Sequence, residues 1–317
     1  MNRLGILKII NIYIYILMII DFNNWIHYKE LIEKETLVIN KTFIKKTCKI
    51  FVNSMIDKKY QDDKNMYKIF MQTEPRSLQN EMLNNIENNY KLFDLILAHD
   101  EKLLSLPNSI LFQPLKKYFW VQPPIYSNIS NFFHQQNPSY CGNKKLDYKN
   151  KRFPITMLCG HKTTGFGNRL RIKCWNKQNE IGVYKRFYRS HTMGTAKIFS
   201  DNITTLHKYD KSEMFIDSMF HVAIENSSHK NYFTEKLNDC ILTHTIPIYW
   251  GCPNISEFYN TDGFILFKDE NDFIKKINNL TPDYYYSKLK IIQENYERFI
   301  NLKDTEYVLE DILSENL

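Results

Sequence analysis

Glycine is scarce in this chain, at 9 of 317 residues, which excludes a collagen-like protein with glycine at every third position. Cysteine is sparse too: Cys48, Cys141, Cys159, Cys174, Cys240 and Cys252 form no CxxC pair, which argues against a zinc site. Their wide spacing does not make a disulfide scaffold, and reduced, buried thiols are expected. The net charge of +7 is spread along the chain. It suits an anionic small molecule, a phosphate-rich ligand or a weak membrane contact, and lacks the basic stripe that marks a nucleic-acid binder. No uninterrupted apolar run reaches the roughly 20 residues of a spanning helix. The longest run, LGILKIINIYIYILMII (4–20), is broken by Lys8 and Asn11. A multi-span membrane protein is therefore excluded. The β-branched and tyrosine content of that run fits a buried strand. A short membrane anchor, with a lumenal domain of Golgi type behind it, is the alternative, and no small-residue cleavage site follows. No internal repeat is present.

What the chain does have is ordinary globular material: 43% hydrophobic and 24% charged residues, enough for a sizeable core. Aromatics reach 15%, and Asn, Lys, Ile and Tyr are abundant. That bias reflects an A/T-rich genome more than any chemistry. At roughly 150 residues per domain, the length suggests about two domains.

KELIEKE (29–35) reads as helix, and CKIFVN (48–53) and YKIFMQTEP (67–75) as strands, the second stopped by Pro75. Leu78, Met82, Leu83 and Ile86 carry helical spacing between Arg76 and Tyr90. KLFDLILAHDE (91–101) and SILFQPL (109–115) are further strand-like pieces. Alternating strands and helices predict an α/β domain with a parallel sheet over residues 1–135. QNPSYCGNKKLDYKNKR (136–152) has no apolar run and reads as a solvated linker. The pattern restarts over 153–317: strand FPITMLCG (153–160), loop HKTTGFGN (161–168), helix from RLRIKCW (169–175). Strand MFHVAIEN (219–226), helix TEKLNDCILTHT (234–245) and strand TIPIYWG (245–251) then form a βαβ unit. Thr234 can cap that helix, with Leu237, Cys240, Ile241 and His244 on one face. The region from Tyr284 to Leu313 reads as helical. Two Rossmann-like halves facing a cleft are expected.

The most informative stretch is HVAIENSSHKNYFTEKLNDCILTHTIPIYWGCPNI (221–255). A loop there leaves the carboxyl end of a strand and enters a helix N-terminus, where ligands bind in open α/β sheets. Free N–H groups and a partial positive charge at such a helix start suit phosphate. Lys236 in the first turn is an unfavourable cation unless an anion is bound. Glu235 can accept from sugar hydroxyls, and Asn226 and Tyr232 can donate to phosphate oxygens. A surface helix with solvated Glu and Lys is the bland alternative.

The residues ENSSHKNYFTEKL followed by TIPIYWGCPNI resemble the nucleotide-sugar motif of the α1,3-fucosyltransferases, glycosyltransferase family 10. That pattern is a strand ending in Glu-Asn, a Tyr-x-Thr-Glu-Lys helix start and a Pro-(Val/Ile)-Tyr-Trp-Gly strand. The resemblance implies the GT-B arrangement of two Rossmann-like domains, inverting transfer of fucose from GDP-fucose, and a C-terminal donor domain. It places Asn226, Tyr232, Glu235 and Lys236 on donor-binding positions. Glu225 also matches, with no role assigned. The family's diphosphate-binding arginine opens the first helix of the donor domain; Arg169 and Arg171 both qualify, the first-turn Arg169 foremost. A fainter likeness, FMQTEP (70–75) before LFDLILAHDE (92–101), makes Glu74 the candidate general base. Pro75 departs from the asparagine that usually follows the base. The likeness is strong over 153–262 and weak over 48–125.

A departing diphosphate is already a stable anion, so transfer needs charge stabilisation and one base, without the second carboxyl of glycoside hydrolysis. No Asp-x-Asp motif is present, which agrees with a clamp of side chains and helix N-terminus and no essential metal. The partners expected are a nucleotide-sugar donor and a glycan or glycoconjugate acceptor, with membrane association through 4–20 open. The rival readings are a GT-B transferase for another nucleotide sugar and a non-catalytic, lectin-like relic.

Overall fold

The computed structural model describes residues 47–113, 116, 121–122, 139–140, 147–192, 195–198, 213–303 and 305–316. The readings over 4–20 and 29–35 lie outside the described residues, as does Cys141. The described residues fall into two compact units, one running to Phe112 and joined by the stretch from Glu306, the other from Gln113 to Thr305.

The first unit holds a parallel sheet in the order β1 (Thr47–Val52), β2 (Met66–Met71), β3 (Leu95–Ala98), β4 (Ser109–Leu111). Strands covered on both faces read as continuous apolar runs rather than alternating ones, as LILA in β3 does, buried at every position. Helix α1 (Arg76–Asn88) crosses from β2 to β3 and buries Leu83 and Ile86. They pack with Ile96, Phe51, Phe70 and Phe93; the Phe93 ring meets those of Phe70 and Phe51 edge-on at 5.8 and 6.2 Å. The short helix α2 (Glu101–Leu104) is capped by Asp100, which accepts from the N–H groups of Lys102 and Leu103.

The second unit contains a two-stranded piece, β5 (Val121–Gln122) with β6 (Ser139–Tyr140). Its main sheet comprises β7 (Arg152–Cys159), β8 (Lys185–Thr192), β9 (Thr195–Ile198), β10 (Ser218–Ile224), β11 (Ile246–Trp250) and β12 (Ile265–Leu266). Their order is β12-β11-β10-β7-β8-β9, parallel except for β8 with β9. Both faces are covered. Helices α3 (Phe166–Asn176), α6 (Glu270–Ile277) and α7 (Pro282–Ser287) pack on Ile155, Met157, Phe220, Val222, Ile246 and Ile248. Helix α5 (Glu235–Leu242) and the second half of α8 (Leu289–Ile300) cover the opposite face through Leu237, Cys240, Ile241, Tyr296 and Phe299. A short α4 (Glu213–Ile216) precedes β10, and α9 (Thr305–Asn316) goes with the first unit. The period of two along β11 explains the sharing: Ile246 and Ile248 face one layer, Tyr249 the other.

Several expectations are corrected here. The linker reading of 136–152 fails at its end: Lys151 is buried, and its ammonium donates to Phe215 O (2.8 Å), Ser218 O (2.9 Å) and Thr245 Oγ1 (2.6 Å). Three acceptors satisfy all three donors of an ammonium, which is what lets a lysine leave water. The helix expected at 169–175 begins earlier, at Phe166, because Gly165 takes φ 85° and turns the chain into it. The C-terminal helical region is three helices. β8 and β9 had no reading, since in KRFYRSHT only Phe187 and Tyr188 form an apolar core signal. Among the described residues no helix is long and apolar enough to cross a membrane. Cys159, Cys174, Cys240 and Cys252 are free, buried thiols, as expected.

Candidate active site

From β7 the chain winds outward to β8, whereas from β10 it winds the other way to β11 and β12. β7 and β10 are adjacent, so the switch point of this sheet lies between their carboxyl ends, the crevice where open α/β sheets take ligands. Two helix N-termini, of α3 and α5, start there.

Glycine lets α3 come close. Gly167 N donates to Asn226 O (3.0 Å), and a Cβ on Gly167 would lie 2.8 Å from the Asn226 carbonyl carbon and collide with Glu225 O. Gly251 does the same service after β11: a Cβ there would lie 2.5 Å from Glu225 Cγ and 2.6 Å from Tyr249 Oη. Both contacts converge on Glu225.

Glu225, fully buried, accepts from Thr234 N at Oε1 (2.8 Å) and from Thr234 Oγ1 at Oε2 (2.7 Å). It thereby ties the end of β10 to the cap of α5. Burial raises its carboxyl above the usual range, against the opposing pull of Lys236 and Thr234. The Thr234 hydroxyl accepts from Lys236 N (3.4 Å) and Lys236 Nζ (3.0 Å). Lys236 Nζ lies 3.0 Å from Glu235 Oε1 and 3.7 Å from Glu225 Oε2. Burial works against its charge, but these two carboxylates outweigh it and hold the ammonium above its usual range. The sequence oddity of a cation in a first helical turn is thus resolved within the protein: two carboxylates and a hydroxyl hold it.

Arg171 joins the group from α3. Its guanidinium donates to Asn168 Oδ1 (2.9 Å) and to the carbonyl of Ile224. Burial depresses its affinity for the proton, countered by Cys159, Glu225, Glu235 and Tyr232. Arg169 is exposed on the first turn of the same helix. Tyr232 is buried at 3% exposure, while Asn226 is half-buried and gives its carbonyl to Gly167. The structure therefore gathers Glu225, Tyr232, Glu235, Lys236 and Arg171 at one crevice, with Asn226 at its edge and Arg169 outside. Residues that sequence reasoning missed are Thr234 as the clasp of Glu225, and Gly167 and Gly251 as the close approaches. In a chain with so few glycines, one directly after a buried strand and one opening a helix were the available signal.

Glu74 belongs to the first unit, in the loop leaving the carboxyl end of β2. Its N–H donates to Asn53 Oδ1 (3.4 Å) and its carbonyl accepts from Gln72 Nε2 (2.9 Å). Behind it, Arg76 grips Asp100 through Nε (2.9 Å) and Nη2 (2.6 Å), Asn84 (2.8 Å) and Glu87. Burial opposes the Asp100 charge, but the Arg76 hydrogen bonds and charge prevail and hold its carboxyl below the usual range.

A doubly wound, mostly parallel sheet with a charged cluster at its switch point places this unit among the open α/β sheets whose ligand crevice lies at the carboxyl ends of the strands. Solved structures agree on the fold. A crystal structure of an alpha1,3-fucosyltransferase superposes with TM-score 0.53 at 16% identity, over 92% of this chain and 92% of that one. Its counterpart with GDP-fucose gives 0.50 at 17%, again over 92% of each. Residues 172–315 match the family described as glycosyltransferase family 10 (fucosyltransferase), C-terminal part. A stretch of 69 residues, 22% of the chain, is 35% identical to an alpha-(1,3)-fucosyltransferase of Helicobacter pylori and spans 14% of that protein. The chain thus resembles glycosyltransferase family 10 over its C-terminal part, and it spans only a small part of the length of the curated relatives that it matches.

Proposed function

We propose that the protein transfers fucose, with inversion, from GDP-fucose to a hydroxyl of a glycan acceptor. The observation that carries the reading is the Glu225–Thr234–Lys236–Arg171 cluster at the switch point, whose Glu225, Thr234 and Lys236 lie within the stretch that matches the family. Lys236, Arg171 and the N-terminus of α5 stabilise the charge growing on the departing GDP. We assign the diphosphate to Arg171 over Arg169, because the Arg171 guanidinium shares the field of Glu225, Glu235 and Lys236. Glu235, at the surface of the cluster, takes hydroxyls of the donor. Tyr232 and Asn226 line the crevice. Glu74 accepts the proton of the attacking hydroxyl, a contribution of roughly 10²–10⁴-fold. Glu225 serves as the clasp that holds the α5 cap in place and has no part in proton transfer.

The reading is tested by thermal shift with GDP-fucose, GDP-mannose, UDP-sugars, GDP and UDP on wild type and Lys236→Ala. A ligand at 100 times Kd stabilises the fold by about 2.7 kcal/mol. Guanosine ligands are expected to raise the wild-type melting temperature by several degrees and the variant's much less. A response to uridine ligands alone would overturn the fucose assignment, and no response from a folded protein would favour a non-catalytic relic.

A further inference from the structure

Asn53 follows β1 with φ 47°, a left-handed backbone that asparagine tolerates better than most residues because its short side chain bonds locally. Here that side chain bonds far along the chain. Its Oδ1 accepts from Thr73 N (2.9 Å) and Glu74 N (3.4 Å), and its Nδ2 donates to Thr73 Oγ1. Its own N–H donates to Met71 O (3.0 Å). The side-chain amide of one residue at the end of β1 is thus spent on the loop that carries Glu74 after β2.

Gln72 braces the other side. Fully buried, it donates from Nε2 to Glu74 O (2.9 Å) and accepts at Oε1 from His99 N (3.1 Å) and Asp100 N (3.0 Å). The N–H and the carbonyl of Glu74 are therefore each held by a side-chain amide, and Pro75 at φ −74° stiffens the next step. Asn53 also borders a hollow of about 620 Å³ lined by Ser77, Gln79, Asn80 and Asn85 among others. The brace is buried, with Asn53 at its edge beside this open hollow. A carboxylate that merely ends a strand at the surface needs no such fixation.

We propose that Asn53 is a positioning residue that fixes the direction of the Glu74 side chain for proton abstraction from the acceptor. This rests on Glu74 being the general base. Misplacement of a reacting group by about 1 Å costs on the order of 10²-fold in rate, and the loss of a two-point clamp on the peptide is a displacement of that kind. His99, Asp100 and Arg76 face this loop from the end of β3 and the start of α1, and the variants below leave all three unchanged.

The test is fucosyl transfer measured across pH, with melting temperatures, for wild type, Asn53→Ala, Asn53→Asp and Glu74→Gln. Asn53→Ala is expected to lower kcat by about 10²-fold with the KM for GDP-fucose unchanged. Asn53→Asp keeps the geometry: its carboxylate accepts from both N–H groups and from the Thr73 hydroxyl. It adds a negative charge beside Glu74, so the acidic limb of kcat is expected to move up by about one pH unit. A change in fold stability alone does not move that limb. If Glu74→Gln is inactive while Asn53→Ala keeps its kcat and Asn53→Asp keeps its acidic limb, the base stands and the positioning role is overturned. If Glu74→Gln keeps its activity, the base reading is wrong and the role of Asn53 falls with it. Should Asn53→Ala fail to fold, the acidic limb of Asn53→Asp decides.

Discussion

At the scale of single residues, the crevice is governed by what is absent as much as by what is charged. Gly167 and Gly251 bring two backbone segments against Glu225 that any side chain would hold off. The neighbour of Gly167 is backbone, at Glu225 and Asn226, and backbone at the end of a central strand cannot swing aside as a side-chain tip can. Gly167→Ala is therefore expected to destabilise the protein by about 1–3 kcal/mol, the range for overpacking, in urea unfolding followed by circular dichroism. Its α3 must also retreat from β10, taking Arg171 away from Ile224 O. Weaker stabilisation by GDP should accompany the loss. A variant as stable as wild type, with GDP binding intact, would show that α3 does not need this approach.

At the scale of elements, the turn after α5 holds a device that the sequence showed only in part. Thr234 was legible as a cap, and Leu237, Cys240 and Ile241 as a buried face, because helical spacing and cap chemistry are local. His244 was grouped with that face, yet the helix stops at Leu242 and His244 takes φ 54° beyond it. Its surroundings come from elsewhere in the chain: Tyr148 stacks on it at 4.5 Å, Tyr296 lies at 4.2 Å, and Nε2 bonds Gln293 Oε1 at 2.9 Å. Nδ1 is buried without a hydrogen-bond partner, so a proton there would bring an unsolvated charge. Burial, aided by the Lys151 charge and only partly offset by Gln293, lowers the imidazole to about 4 from 6.5. The folded state then binds this proton later than the unfolded chain does. The stability from a neutral His244 is complete above about pH 6.5 and is lost as pH falls toward 4, in all about 3 kcal/mol. Urea midpoints measured from pH 7.5 to 4 should fall over that window, and His244→Asn, which keeps a residue tolerant of positive φ, should flatten the slope. An unchanged slope would assign the acid sensitivity to other groups.

At the scale of the whole molecule, the alternating pattern of strands and helices was readable because buried parallel strands write themselves as apolar runs. The burial of Lys151 was not, since a polar composition over 136–152 says nothing about a lysine whose three protons find three acceptors. Glu235 and Lys236 were readable through one contiguous motif, whereas Arg171 stood second to Arg169 on spacing alone, and Glu225 acquired its role only from Thr234 and two distant glycines. The same cluster sets the last expectation, on metals. A departing diphosphate must be met by positive charge, which a divalent cation held by carboxylates or a set of protein cations can supply. In this crevice both acidic residues are already engaged: Glu225 by Thr234 and Glu235 by Lys236. Recruiting them as metal ligands would release a lysine that they hold charged. The protein cations and the α5 N-terminus are better matched to the diphosphate, and the chain carries no Asp-x-Asp motif. Transfer from GDP-fucose is therefore expected to proceed at full rate in excess chelator, and added Mn²⁺ to leave kcat unchanged. Complete loss of activity in chelator, restored by Mn²⁺, would mean that carboxylates outside this cluster hold a metal against the diphosphate, and that Lys236 and Arg171 are insufficient for the leaving group.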